Sequence, residues 1–71
     1  MTTEERQRSA QRVRAIRTKL ELTQEQLALY LNVSASTVQK WERGAAVPHT
    51  KANVDAVDQA ERDAGLQEVK H

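Results

Sequence analysis

Few side chains in this sequence are equipped for covalent or acid–base chemistry, and their placement argues against it. Cysteine is absent, which removes a thiolate nucleophile, a disulfide and a thiolate zinc site. His49 and His71 have no Cys, Asp or Glu at ligand spacing, so no metal is expected. Ser34 has no histidine placed to activate it and reads as a helix cap. Asp55 and Asp58 share a helix face, but one bathed in water with no cleft to desolvate them. No catalytic residue and no cofactor follow from this. What remains is hydrogen-bonding chemistry. Val38 and Trp41 lie three apart and turn inward, so Ala35, Ser36, Gln39 and Lys40 turn outward together. They offer a methyl, a hydroxyl, an amide and an ammonium on one surface, a set that recognises a polar partner rather than transforming it. Arg6, Arg8, Arg12, Arg14, Arg17 and Lys19 add a run of cations with no acid among them. Such a run suits phosphate, and reads equally as a solvated helix face.

The elements that must position these groups lie in 22–44, LTQEQLALYLNVSASTVQKWERG. Thr23 followed three residues later by Gln26 is a capping box opening a helix over 24–31. Leu27, Ala28 and Leu31 form its apolar stripe. Asn32 tolerates the left-handed conformation that a sharp turn needs, and Val33 anchors that turn. Ser34 caps a second helix over 34–43, and Gly44 stands where a C-terminal cap belongs. Two helices joined so tightly expose the outer face of the second, which is the geometry of a helix-turn-helix reader of DNA. On that face Lys40 can donate to guanine O6 and N7, and Gln39 can pair with adenine N6 and N7. Ala35 offers a methyl contact to thymine, and Ser36 discriminates poorly. Phosphates are met at helix N-termini and by flanking cations, which makes Thr23, Gln24, Thr37 and Arg43 candidates, with Arg14 and Arg17 flanking from the first helix.

At 71 residues the chain holds at most one domain, 1–71, with a core over about 10–64. One proline, two glycines, no Phe and few β-branched runs point to an all-α fold. No apolar run approaches the roughly 18 residues of a membrane span, and the charged start MTTEERQRSAQRVR is no signal peptide. A cytoplasmic location is expected. The net charge of +1 is unevenly spread. Residues 1–44 carry eight basic against five acidic side chains, +3, and residues 45–71 three against five, −2.

A first helix is expected over 1–19, capped by Thr2 or Thr3, with Ala10, Val13, Ile16 and Leu20 inward and the cations on the other faces. Leu20 and Leu22 plug the core. Pro48 keeps 45–49 a loop, and Thr50 caps a fourth helix running to about Ala64. Val54, Val57 and either Ala60 or the stem of Glu61 face its core side. Lys51 with Asp55, and Asp58 with Arg62, form i,i+4 pairs. Gly65 ends the helix and 66–71 is a loose tail.

At 22–44 the sequence resembles the Cro/phage-repressor type of helix-turn-helix. The matching residues are Leu22-Thr23-Gln24, Leu27-Ala28, Leu31, Val33-Ser34, Ser36-Thr37-Val38 and Trp41-Glu42-Arg43-Gly44. With Arg17 before them and Pro48 after, the likeness covers roughly 10–60. It implies a compact bundle of four to five helices of the lambda-repressor-like DNA-binding type. It also implies base contacts at Ala35, Ser36 and Lys40, with Gln39 nearby and Gln24 touching the backbone or an edge base. The resemblance further pairs Arg17 with Glu42, an ion pair that neutralises an acid which would otherwise repel phosphate. Two positions depart from the family: Asn32 stands where the turn usually has glycine, as does Glu21 in the preceding linker. A positive φ at Glu21 would cost about 1 kcal/mol. The family's fifth helix, often used in dimerisation, has only 64–71 available.

The reading that follows is a DNA-binding transcriptional regulator, a repressor acting as a homodimer on a palindromic operator in double-stranded DNA. Its setting by analogy is a phage or bacterial operon. The rival reading is a protein-interaction module on the same fold, such as an antitoxin or a coactivator. Leu29 and Tyr30 bear on that choice. With Leu27, Ala28 and Leu31 buried they point sideways or outward, either to pack partly on the fourth helix or to meet a protein partner, including a second subunit.

Overall fold

Four helices build the structure, a computed structural model that describes residues 2–66. They are α1 (Thr3–Lys19), α2 (Gln24–Leu31), α3 (Ala35–Glu42) and α4 (Lys51–Asp63). The fold is all-α. Each helix opens on a hydroxyl cap: Thr2, Thr23, Ser34 and Thr50 accept a hydrogen bond from the third residue of the helix they precede. At Thr23 the bond is reciprocated by the Gln26 side chain, completing the capping box.

The four C-termini close alike. The chain turns left-handed just past each helix, at the second residue for Glu21 (φ 56°), Gly44 and Gly65 and at the first for Asn32 (φ 59°). The next amide then reaches back five residues, from Leu22 to Arg17, Val33 to Ala28, Ala45 to Lys40 and Leu66 to Glu61. This is the Schellman arrangement, which satisfies carbonyls the helix leaves open. Glycine fits two of the four sites, and Asn32 adapts to the third. Glu21 is the mismatch, a residue with a Cβ in a region that penalises one.

The core joins Val13 and Ile16 of α1, Leu27, Ala28 and Leu31 of α2, Val38 and Trp41 of α3, and Val57 and Ala60 of α4. Leu20, Leu22 and Val33 pack against it from the connections. Thus α3 is wedged on α1 and α2, while α4 closes the other side of the same pair.

Several details differ from the sequence expectations. Helix α1 begins at Thr3, with Thr2 as its cap. In α3, Ser34 and Arg43 are caps rather than helical residues. Val54 is half-buried, and the inward positions of α4 are Val57, Ala60 and the following Ala64. Arg12 is not a solvated cation. It reaches across to α4, donating to both oxygens of Glu61 (2.7 and 3.0 Å) and to Asp58. Asp58 is thereby engaged by α1, while Lys51 and Asp55 pair at 3.1 Å. A four-residue offset was the only pairing visible in sequence, and the cross-helix partner is 46 residues away. No fifth helix occurs among the described residues. The expected tail beyond Leu66, His71 included, lies outside them.

Candidate nucleic-acid interface

Helix α3 presents two unlike faces because its apolar residues are so few. Val38 is fully buried and Trp41 is 3% exposed, which fixes the rotation of the helix. Ser36, Gln39, Lys40 and Arg43 then fall at i, i+3, i+4 and i+7 and are all exposed. Their side chains take no partner among the described residues. Ala35 sits at the edge of this face, half-buried and packed against the core, so only part of its methyl surface is open. Thr37 is half-buried, and its hydroxyl shares a 2.8 Å hydrogen bond with that of Ser34. Thr23 is exposed, with its hydroxyl receiving the Gln26 amide. The amides of Ala35 and Ser36 open the helix with no intrahelical acceptor, a local positive end.

Behind the exposed face lies a buried acid. Glu42 is 4% exposed, yet its carboxylate is held by three donors. Arg17 donates from Nε (2.8 Å) and Nη2 (3.1 Å), and Gln24 donates from its amide nitrogen (3.2 Å). Arg17 also reaches the Leu22 carbonyl at 3.4 Å, and Arg14 donates to the Glu42 carbonyl at 2.5 Å. Donating to the Glu42 carboxylate holds the Arg17 guanidinium above its usual pKa, against the opposing effect of burial. One carboxylate therefore joins the second half of α1, the start of α2 and the end of α3. It also leaves the C-terminal end of α3 with no unpaired acid.

Sequence spacing does not show that Gln24 serves this carboxylate. Its position at the start of α2 suggests a free amide, whereas its nitrogen is committed to Glu42. The amide oxygen of Gln24 accepts no hydrogen bond among the described residues, and the first amides of α2 lack an intrahelical acceptor. Arg14 is likewise drawn to the end of α3.

Leu29 and Tyr30 part company in the structure. Tyr30 is 48% exposed and donates its hydroxyl to Asp63 of α4, beside the Gln59 amide on the same carboxylate at 3.0 Å. Leu29 is 82% exposed. His49 lies exposed in the loop before α4, its Nδ1 3.4 Å from the Val47 carbonyl. Among the described residues no three His, Cys, Asp or Glu side chains converge as metal ligands. No helix among the described residues is long and apolar enough to cross a membrane.

The model of the helix-turn-helix family matches residues 13–52, from the middle of α1 through α2 and α3 to the first turn of α4. No curated protein and no solved structure gave a significant match. The matched stretch is more than half the chain and holds the buried acid, the capped turn and the exposed face of α3. The chain belongs to the Cro/C1-type helix-turn-helix family of DNA-binding regulators.

Proposed function

We propose that this protein is a sequence-specific repressor that binds an inverted-repeat operator as a homodimer, with α3 in the major groove. The observation that carries the reading is the joint exposure of Ser36, Gln39 and Lys40 on a helix whose rotation the buried Trp41 fixes. Lys40 and Gln39 supply the base discrimination, Ser36 a hydroxyl contact, and Ala35 a methyl edge. Arg43, Arg14, Thr23, Thr37 and the start of α2 at Gln24 hold the backbone. Arg17 acts chiefly by keeping Glu42 neutralised. One such helix covers about half a turn of duplex. Two-fold pairing sets half-sites roughly 34 Å apart and doubles the information read. Residues 1–71 act as one domain in the cytoplasm, and repression follows from occupying promoter DNA.

Selection from random duplexes tests this. The expected product is a palindrome with half-sites one helical turn apart, bound with an affinity that falls steeply between about 50 and 200 mM salt. Lys40→Ala should cost about 1–3 kcal/mol and relax one position in each half-site. Affinity indifferent to both sequence and Lys40→Ala would remove the reading. It would favour the second one, a protein-interaction module, which the 82% exposure of Leu29 supports.

A further inference from the structure

Between the first half of α1 and the end of α3 lies an open groove of about 380 Å³, lined by Gln7, Ala10, Gln11, Arg14, Glu42, Arg43 and Gly44. Its α1 wall is a polar strip at i, i+4 and i+7, formed by Gln7, Gln11 and Arg14. Its α3 wall ends at Gly44, where a Cβ would stand 3.9 Å from the Cβ and the carbonyl oxygen of Arg6. Arg6 thus borders the groove as well.

The charges in this groove have one sign. Arg14 and Arg43 line it and Arg6 stands at its edge, all three exposed. The one acid is Glu42, whose carboxylate is turned to Arg17 and Gln24, so that the residue offers the groove no open negative charge. Two primary amides, Gln7 and Gln11, add N–H donors beside the cations, and both are exposed. The groove is also continuous with the outward face of α3. Arg43 lies three residues past Lys40 and four past Gln39, on the same helical strip.

We propose that this groove holds a backbone phosphate of the DNA strand flanking the bases read by α3, with Gln7 and Gln11 as donors alongside Arg14 and Arg43. The inference rests on the DNA-binding reading and enlarges its footprint. Helix α1 becomes a second rail for the backbone, and the required duplex extends beyond the bases whose identity matters. A phosphodiester suits the groove better than a planar carboxylate ligand. Its donors come from two walls and face a tetrahedral group from two sides.

The test uses Gln11→Glu, which preserves size at an exposed position and places a carboxylate in the groove. On the selected duplex the variant is expected to bind about tenfold more weakly, at unchanged melting temperature. A series of duplexes, each with one methylphosphonate outside a half-site, should then contain a position where wild-type binding weakens and the Gln11→Glu defect largely disappears. Gln7→Ala/Gln11→Ala should weaken binding severalfold without changing the salt slope. Arg14→Gln should lower that slope by about one. A Gln11→Glu variant that binds within about twofold of wild type overturns the proposal. So does a defect that no single methylphosphonate relieves, which marks diffuse repulsion rather than a site. In both cases Lys40→Ala still weakens binding if α3 reads DNA. Should Lys40→Ala have no effect, or the chain bind no duplex, the DNA reading and this inference fall together. Inorganic phosphate shifting the Gln7 and Gln11 amide resonances as strongly as a duplex does would also overturn it, by making the groove a free-anion site.

Discussion

Replacing Arg17 with Met should destabilise the protein by about 3 kcal/mol, and the reason lies with the residue left behind. Glu42 is 4% exposed, and Arg17 provides two of the three hydrogen bonds to its carboxylate. Methionine keeps most of the aliphatic stem but strands a buried charge on one amide, that of Gln24. Removing one partner of a buried ion pair costs roughly 3–5 kcal/mol. The lower end applies because the Arg17 side chain is 26% exposed and water can enter from its side. A domain of this length is stable by roughly 4–10 kcal/mol. The loss is therefore a large fraction of the total and lowers the melting temperature by roughly 12–24 °C. Urea unfolding followed by the fluorescence of Trp41, the single tryptophan and a core residue adjacent to Glu42, reads it directly. The companion Arg17→Met/Glu42→Met tests the cause. If the penalty is an uncompensated carboxylate, removing that carboxylate restores most of the stability, with a coupling energy of about 2 kcal/mol. An Arg17→Met protein within about 1 kcal/mol of wild type would refute the argument. So would single-variant losses that simply add in the double variant.

Glu21→Gly should raise stability by about 0.5–1 kcal/mol. It relieves a Cβ at φ 56°, partly offset by the greater freedom of glycine in the unfolded chain, and a thermal melt a few degrees higher checks it. Asn32→Gly should gain less, because asparagine visits that region at lower cost. Tyr30→Phe should raise the Asp63 titration midpoint followed by NMR. Asp63 sits below the usual carboxylate range because the Tyr30 hydroxyl, and after it the Gln59 amide, donates to its charged form. A depressed carboxylate stabilises the fold above its unfolded pKa and loses that contribution as pH falls through the folded value, so the variant should show a weaker acid dependence. Thr23→Ala should cost about 1 kcal/mol in urea unfolding by removing the acceptor for the Gln26 amide.

The parts of this fold legible in sequence are those fixed by neighbours. Thr23 with Gln26, Ser34 before a polar helix, and Thr50 after Pro48 are local statements, and the helices begin where these residues put them. The core stripe of α2 needs only its own spacing. What stayed hidden depends on residues far apart. Arg12 looked solvated because nothing near it in the chain is acidic, yet Asp58 and Glu61 come to it when α4 folds back over α1. The nearness of Arg17 to Glu42 was not a matter of spacing at all, since 25 residues separate them, and entered only through the family resemblance. Gln24 shows the same limit from the other side. Its position at the start of a helix suggested a free amide, and the fold supplied an acceptor for it.

A net charge of +1 would suit a DNA binder poorly if the charges were independent. They are not. Arg12 is committed to two acids of α4 and Arg17 to Glu42, so these two cations and three acids largely cancel within the fold. The cancellation removes the acid at the end of α3, the one that would face the duplex. It leaves Lys40 and Arg43 on α3, with Arg6 and Arg14 beside them on α1, as an uncompensated set around the exposed face. Of the remaining acids of α4, Asp55 pairs with Lys51, while Asp63 keeps its charge beneath donors from Tyr30 and Gln59. The field that meets DNA is therefore set by where the acids are spent inside the bundle rather than by their number. For that reason Glu42→Gln should raise the positive charge at this face by about one, because Arg17 loses the carboxylate that neutralised it. Its salt slope should steepen by up to about one while its stability falls, and an unchanged slope at unchanged stability would remove the pairing argument.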